Sequence, residues 1–193
     1  MGDTREDPRA SESVADGANE HDSRAPETSS LMEVLLVYGS RRFALDIAAL
    51  DWATDRAIDR MMTMGPKLMV VSGGAEGADT AAIFASMYVP EKKPRVLVLR
   101  ADGMAVASWK MAPWPWWHEL APAFDRLPHA QRPLARNRAM ANLLAGFRAK
   151  GHRVEALCLV HPDSTTRGTD SESKLLNERG ITARIETYGR EPR

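Results

Sequence analysis

The chain has 193 residues, with 26 basic and 26 acidic side chains and a formal net charge of +0. This length suits one ordinary domain that buries roughly 70% of its unfolded surface, so folding requires neither disulfides nor a metal. The single cysteine, Cys158, excludes a disulfide framework and a multi-cysteine zinc site. No apolar run reaches the ~18 residues of a membrane-spanning helix, and no apolar leader follows Met1. A cytoplasmic protein without membrane contact is therefore expected.

Residues 1–30 differ in composition from the rest of the chain. They hold eight acidic and three basic residues, which leaves 18 acidic and 23 basic side chains elsewhere, a net charge of +5. The segment has no aromatic residue and Val14 as its one β-branched aliphatic. Such a composition buries too little apolar surface to offset the entropy lost on ordering. The sequence predicts a disordered acidic tail over 1–30 and a folded domain over 31–193; a docking arm or a mask over a basic surface is the alternative for the tail.

From Glu33 onward, apolar runs typical of strands alternate with helical patterns. Strands are predicted at 34–38, 68–71, 96–99, 154–160 and 181–185. Helices are predicted at 47–62, 78–87, from about 135 to 147, and 172–178. Strands that alternate with helices form right-handed βαβ units. The sequence therefore predicts an α/β fold, a single Rossmann-like domain with a mostly parallel sheet and helices on both faces.

The stretch 101–133 is predicted to be irregular, and it contains five prolines and four of the five tryptophans. Loops of this length in compact domains commonly serve as lids, binding loops or partner surfaces. The simplest interpretation is an apolar plug over one edge of the core. The alternatives are ligand stacking and self-association through the Trp-rich segment 109–117, which would give a homo-oligomer.

Glycines and arginines follow the predicted strands, at the edge where open α/β sheets bind ligands. Glycines at a strand-to-helix turn let backbone N–H groups approach an anion, and arginines offer forked donors to phosphate. No G-x-G-x-x-G fingerprint and no phosphate loop of the Gly-Lys-Ser/Thr type is present. The glycines could instead serve tight turns with close helix packing, and Arg41 could be a surface residue. Asp79 is expected to tether loop N–H groups rather than to accept from a ribose hydroxyl.

Four motifs occur in a specific order: Val37-Tyr38-Gly39-Ser40-Arg41, Val71-Ser72-Gly73-Gly74-Ala75-Glu76-Gly77-Ala78-Asp79, Arg136-Asn137-x-x-Met140 and Arg167-Gly168-Thr169. In this order they resemble the SLOG superfamily, and within it the YspA-like branch, over about residues 33–187. The resemblance implies a Rossmann-like fold that binds a nucleotide or a nucleotide-derived small molecule, such as an ADP-ribose derivative, as a sensor or carrier. The candidate ligand-binding residues are Gly39, Ser40, Arg41, Gly73, Gly74, Gly77, Asp79, Arg136, Asn137, Gly168 and Thr169.

The LOG-type phosphoribohydrolases of the same superfamily are a more distant resemblance. Their pattern pairs Arg-Lys-x-x-Met at a helix start with Pro-Gly-Gly-x-Gly-Thr-x-x-Glu; here Asn137 stands at the lysine, and Gly168-Thr169-x-x-Glu172 lacks the preceding Pro-Gly-Gly. This resemblance implies an alternative function, a nucleotide N-glycoside hydrolase with Arg136 and Glu172 as catalytic residues. The competing interpretation of Thr169 to Glu172 is a capping box at a helix start, and we favour it at this stage.

Other functions have less support in the sequence. A single-stranded DNA binder would use the +5 domain and stacking tryptophans, but the acidic tail opposes it, so nucleic acid is an unlikely partner. The five histidines show no metal-ligand spacing, and neither a metal nor a cofactor is expected. Cys158 lies in a predicted buried strand and is expected to be an inert core residue.

Overall fold

Short, β-branched and leucine-rich runs form the strands of a parallel sheet. The computed structural model describes residues 31–92, 94–99, 101, 117–120, 126–164 and 167–190. Within these ranges the strands are β1 (Glu33–Gly39), β2 (Leu68–Ser72), β3 (Arg95–Leu99), β4 (Trp117–Leu120), β5 (Arg153–Val160) and β6 (Ala183–Thr187). The helices are α1 (Ile47–Met62), α2 (Ala78–Met87), α3 (Arg132–Ala149) and α4 (Arg167–Asn177), and short 3-10 helices at Arg41–Leu45 and His129–Gln131 precede α1 and α3.

The sheet order is β4-β3-β2-β1-β5-β6, and every neighbouring pair is parallel. The chain adds β2, β3 and β4 outward on one side of β1, and then crosses to the other side for β5 and β6. The predicted α/β class with a parallel sheet is therefore confirmed. Because of this reversal, the carboxyl ends of β1 and β5 lie side by side. The helix that follows β1 and the helix that follows β5 run to opposite faces of the sheet.

Both faces of the sheet are covered by helices. Successive side chains of β1 point to opposite faces of the sheet, as in any strand. Leu35 and Val37 pack in a cluster with the alanine-rich faces of α1 and α2. Val34 and Leu36 pack in a second cluster with α3 and α4. Each face thus buries its own apolar layer, and the strand ends remain the part of the domain open to a ligand.

The structure departs from the sequence-based boundaries in several places, and α3 begins at Arg132 rather than near 135. β4 lies inside the stretch predicted to be irregular, and it exists through its pairing with β3, a tertiary contact that a four-residue run does not signal. α4 begins at Arg167 rather than at 172, and β6 runs over 183–187 rather than 181–185. The predicted tail 1–30 and the tryptophans 109, 114 and 116 lie outside the described residues.

No helix among the described residues combines the length and the apolar character that crossing a bilayer requires.

Candidate functional site

A cavity of about 650 Å³ opens where the sheet reverses its strand order. Segments that follow β1, β2 and β5 contribute to its wall, together with the first turns of α2, α3 and α4. This is the switch point at which open α/β sheets bind ligands. The lining residues are Tyr38, Gly39, Ser40, Arg41, Arg42, Leu45, Ala75, Glu76, Asp79, Pro133, Arg136, Asn137, Met140, Asp163, Ser164, Gly168, Thr169 and Glu172.

The turn after β1 is held tightly against β5 and α2. The Ser40 N–H donates to the Leu159 carbonyl at 2.9 Å, and the Ser40 carbonyl accepts from the Ala78 N–H at 3.1 Å. The Ser40 hydroxyl accepts from the Arg42 N–H at 3.0 Å and caps the 3-10 helix. These bonds fix the backbone on which Arg41 and Arg42 stand, and both arginines are exposed at the rim of the cavity.

The glycines of the β2–α2 loop shape the cavity without lining it. A Cβ on Gly73 would stand 2.7 Å from Asp79 Oδ2 and 2.8 Å from the Arg136 guanidinium carbon. Gly77 has φ +87, and a Cβ there would meet the backbone of Ser40 and Arg41. Gly74 has φ 63, and its N–H donates to the Ser72 hydroxyl at 3.2 Å. Close packing therefore accounts for Gly73 and Gly77, and the positive φ accounts for Gly74.

Asp79 tethers the same loop. Its Oδ2 accepts from the Ala75 N–H at 3.1 Å, and its backbone carbonyl accepts from the Ser72 hydroxyl at 3.0 Å. The expected tethering role of Asp79 is therefore confirmed. Burial raises the pKa of this carboxyl, while Arg136 and the Ala75 N–H oppose the rise.

Arg136 is buried at the floor of the cavity and is held by its own neighbour. Its Nε and Nη2 donate to Asn137 Oδ1 at 3.1 and 2.9 Å, and Nη1 donates to the Gly73 carbonyl at 3.0 Å. Nη1 also lies 3.8 Å from Asp79 Oδ2. Asn137, which stands where the phosphoribohydrolase pattern has a lysine, thus acts as the acceptor that orients Arg136.

Glu172 is the least satisfied polar group of the site. It is 2% exposed, and neither carboxylate oxygen has a hydrogen-bond partner among the described residues. Burial raises the pKa of Glu172 to about 8; Asp79 raises it further, and Arg136 opposes the rise. One guanidinium thus serves two buried carboxyls, and Glu172 holds a proton at neutral pH.

The capping-box interpretation of Glu172 is wrong. α4 already begins at Arg167, so Thr169 lies in its first turn rather than at the N-cap, and Glu172 lies in its second turn. A capping glutamate would reach back to a free N–H at the helix start, whereas the Glu172 oxygens have no such partner among the described residues. Gly168 and Thr169 line the cavity from the first turn of α4.

The structure brings most of the candidate residues into one cavity. Eight of them, together with Glu172, line it: Gly39, Ser40, Arg41, Asp79, Arg136, Asn137, Gly168 and Thr169. Gly73, Gly74 and Gly77 lie behind this wall. The cavity is also lined by Arg42, Leu45 and Asp163, which were not among the predicted site residues. They too follow the carboxyl ends of β1 and β5, so the rule applied to Arg41 also applies to them.

Two further buried groups are Tyr38, which lines the cavity, and Cys158. The Tyr38 and Ser173 hydroxyls are 2.7 Å apart, and burial raises the Tyr38 pKa. Burial raises the pKa of Cys158 to about 11, so the thiol stays protonated and unreactive at neutral pH. The expectation of a buried core cysteine is confirmed. Among the described residues, no three His, Cys, Asp or Glu side chains are grouped closely enough to hold a metal ion.

Comparisons with protein-family models, with curated proteins and with solved structures found no match for this chain.

Proposed function

We propose that the chain is a member of the SLOG superfamily that binds a phosphorylated, nucleotide-derived ligand in the 650 Å³ cavity, as a sensor or carrier. The observation that carries the proposal is the convergence of three arginines at the switch point of the sheet. Arg41, Arg42 and Arg136 all line one cavity, and the first turns of three helices point their positive dipole ends toward it.

The other charges of the cavity favour a nucleotide over a simple inorganic anion. Exposed Glu76 and Asp163 lie on the same wall as the exposed arginines. A carboxylate repels phosphate but accepts hydrogen bonds from ribose hydroxyls. A ligand that carries both phosphate and hydroxyl groups matches this mixture of donors and acceptors.

Arg41 gives the sharpest test, because it is exposed and the hydrogen bonds of Asp79 and Arg136 do not involve its side chain. We expect Arg41→Ala to weaken binding of ADP-ribose or AMP by ~1.5–3 kcal/mol, the range for hydrogen bonds to charged groups, with an unchanged melting temperature. Isothermal titration calorimetry measures the affinity. Arg138→Ala is the matched control, since Arg138 is exposed on α3 and does not line the cavity. Equal affinities of Arg41→Ala and wild type would show that the phosphate does not bind at Arg41.

A nucleotide N-glycoside hydrolase is the second candidate, and the orphaned carboxyl of Glu172 favours it. A carboxyl that is buried in a cavity and protonated at neutral pH can donate a proton to a departing base. Arg136, with its charge beside Glu172, would stabilise the phosphate or the developing anion. Arg136 already donates its hydrogen bonds to Asn137 and Gly73. This favours a ligand-binding function over hydrolysis.

Release of adenine from AMP distinguishes the two functions. A hydrolase releases free adenine, detected by liquid chromatography, and Glu172→Gln lowers the rate by ~100-fold or more through loss of the acid. A sensor or carrier binds AMP and returns it intact, with wild type and Glu172→Gln equally inactive.

A further inference from the structure

A second cavity, of about 480 Å³, adjoins the one described above. Arg42, Leu45 and Asp163 line both cavities, so the two meet along a shared wall. The second cavity is completed by Asp46, Ile47, Ala48 and His161, around the N-terminus of α1. None of these four residues has a role in the proposed phosphate site.

His161 supplies this cavity with a buried donor. It is 5% exposed, with the Phe43 ring at its edge and the Tyr188 ring stacked on it, at centroid distances of 5.5 and 5.6 Å. Its Nδ1 accepts from the Asp163 N–H at 3.2 Å, so the ring proton resides on Nε2. Nε2 has no hydrogen-bond partner among the described residues.

Asp46 places an acceptor beside that donor. Its Oδ1 accepts from the Ala49 N–H at 3.1 Å and caps α1. Its Oδ2 lies 3.8 Å from His161 Nε2, which is too far for a hydrogen bond. Nε2 and Oδ2 thus form a donor and an acceptor that lie in electrostatic contact without a hydrogen bond between them.

Apolar surface flanks this pair. Leu45 and Ile47 are 73% and 81% exposed, although both are large aliphatic residues. Leu45 lies at the junction of the two cavities, and Ile47 lies beside Asp46. Both side chains can contact the face of a flat heteroaromatic ring. The carboxylates of Asp46 and Asp163 disfavour a second phosphate at this position.

We infer that the second cavity binds the base of the nucleotide-derived ligand, while the first cavity holds its phosphate and ribose; this inference rests on the proposed function. A nucleobase edge presents a hydrogen-bond donor next to an acceptor, and its ring faces are apolar. The Asp46–His161 pair complements such an edge, and Leu45 and Ile47 complement the ring. Asp46 and His161 are then specificity residues of the site.

The test compares 5′-AMP with ribose 5-phosphate, which lacks the base, by isothermal titration calorimetry on the full chain. Wild type is expected to bind AMP about tenfold more tightly than ribose 5-phosphate. Asp46→Asn keeps an oxygen that caps α1 but replaces the free acceptor with a donor. This variant should lose about tenfold in AMP affinity and keep its affinity for ribose 5-phosphate.

A second test variant and one control complete the experiment. Ile47→Ser alters only an exposed side chain, and we expect it to weaken AMP binding while ribose 5-phosphate binding stays unchanged. Asp51→Asn, at an exposed position of α1 outside both cavities, should change neither affinity.

The outcomes separate this inference from the function on which it rests. If wild type binds AMP and ribose 5-phosphate equally, or if Asp46→Asn and Ile47→Ser leave AMP binding unchanged, the base lies elsewhere and the inference fails alone. If wild type binds neither compound, both the proposed function and the base site are wrong.

Discussion

At the scale of single residues, the buried part of the site holds two carboxyls, Asp79 and Glu172, and the guanidinium of Arg136. Arg136 lies 3.8 Å from Asp79 and also affects Glu172, so one buried cation serves two buried carboxyls. Burial raises the pKa of both carboxyls; the Ala75 N–H opposes the rise only at Asp79, and Arg136 opposes it at both. The Glu172 carboxyl, with a pKa of about 8, keeps its proton at neutral pH.

The pKa of Glu172 is raised from 4.5 to about 8, and this predicts how the free energy of unfolding changes with pH. Between these values the folded protein holds a proton that the unfolded chain has lost, so the free energy of unfolding falls as pH rises. We expect the wild type to lose roughly 3 kcal/mol between about pH 5 and 8 relative to Glu172→Gln, which has no such proton. Urea denaturation at a series of pH values measures this difference.

Glu178→Gln is the control for this prediction, since Glu178 is exposed just beyond α4 and should leave the pH dependence unchanged. Parallel pH profiles for wild type and Glu172→Gln would mean that Glu172 is ionised in the folded protein.

At the scale of elements, the turn between β2 and α2 is tightly constrained. Gly77 precedes α2 with φ +87, a conformation that L-residues with a side chain rarely adopt. A Cβ at this position would also stand 2.7 Å from the Arg41 Cα. The turn after β1 and the start of α2 therefore approach each other at a distance that only glycine permits.

Two glycine substitutions should have opposite effects on stability, because only one of the two glycines lies at this close approach. Gly77→Ala should lower the free energy of unfolding by about 2–4 kcal/mol, through backbone strain and the clash with Arg41. Gly146→Ala, in the middle of α3 with open space around it, should raise it by about 0.5–1 kcal/mol through helix propensity. Chemical denaturation of both variants checks the pair. A neutral Gly77→Ala would show that the two turns can separate at little cost.

Predicting these elements from sequence succeeded where the pattern is local. The buried runs of β1, β2 and β5 and the cores of α1 and α2 follow from apolar periodicity. β4 and the start of α4 did not follow, because a four-residue strand depends on its neighbour β3, and because Thr169-x-x-Glu172 has the same spacing inside a helix as in a capping box. A local motif cannot tell these two positions apart.

At the scale of the whole molecule, the order of the strands decides where the candidate residues meet. Arg41 and Arg136 are far apart in sequence, and the rule that ligands bind beyond the carboxyl ends of parallel strands was enough to place them together. The second cavity could not be predicted in this way. His161 and Asp46 are far apart in sequence, and their approach to 3.8 Å exists only in the folded chain.

A crystal structure of the full chain with bound 5′-AMP tests the proposed ligand site most directly. We expect the phosphate in the first cavity, with its oxygens within hydrogen-bond distance of the Arg41 guanidinium. AMP seated outside this cavity, or with its phosphate directed away from Arg41 and Arg42, would contradict the proposed site.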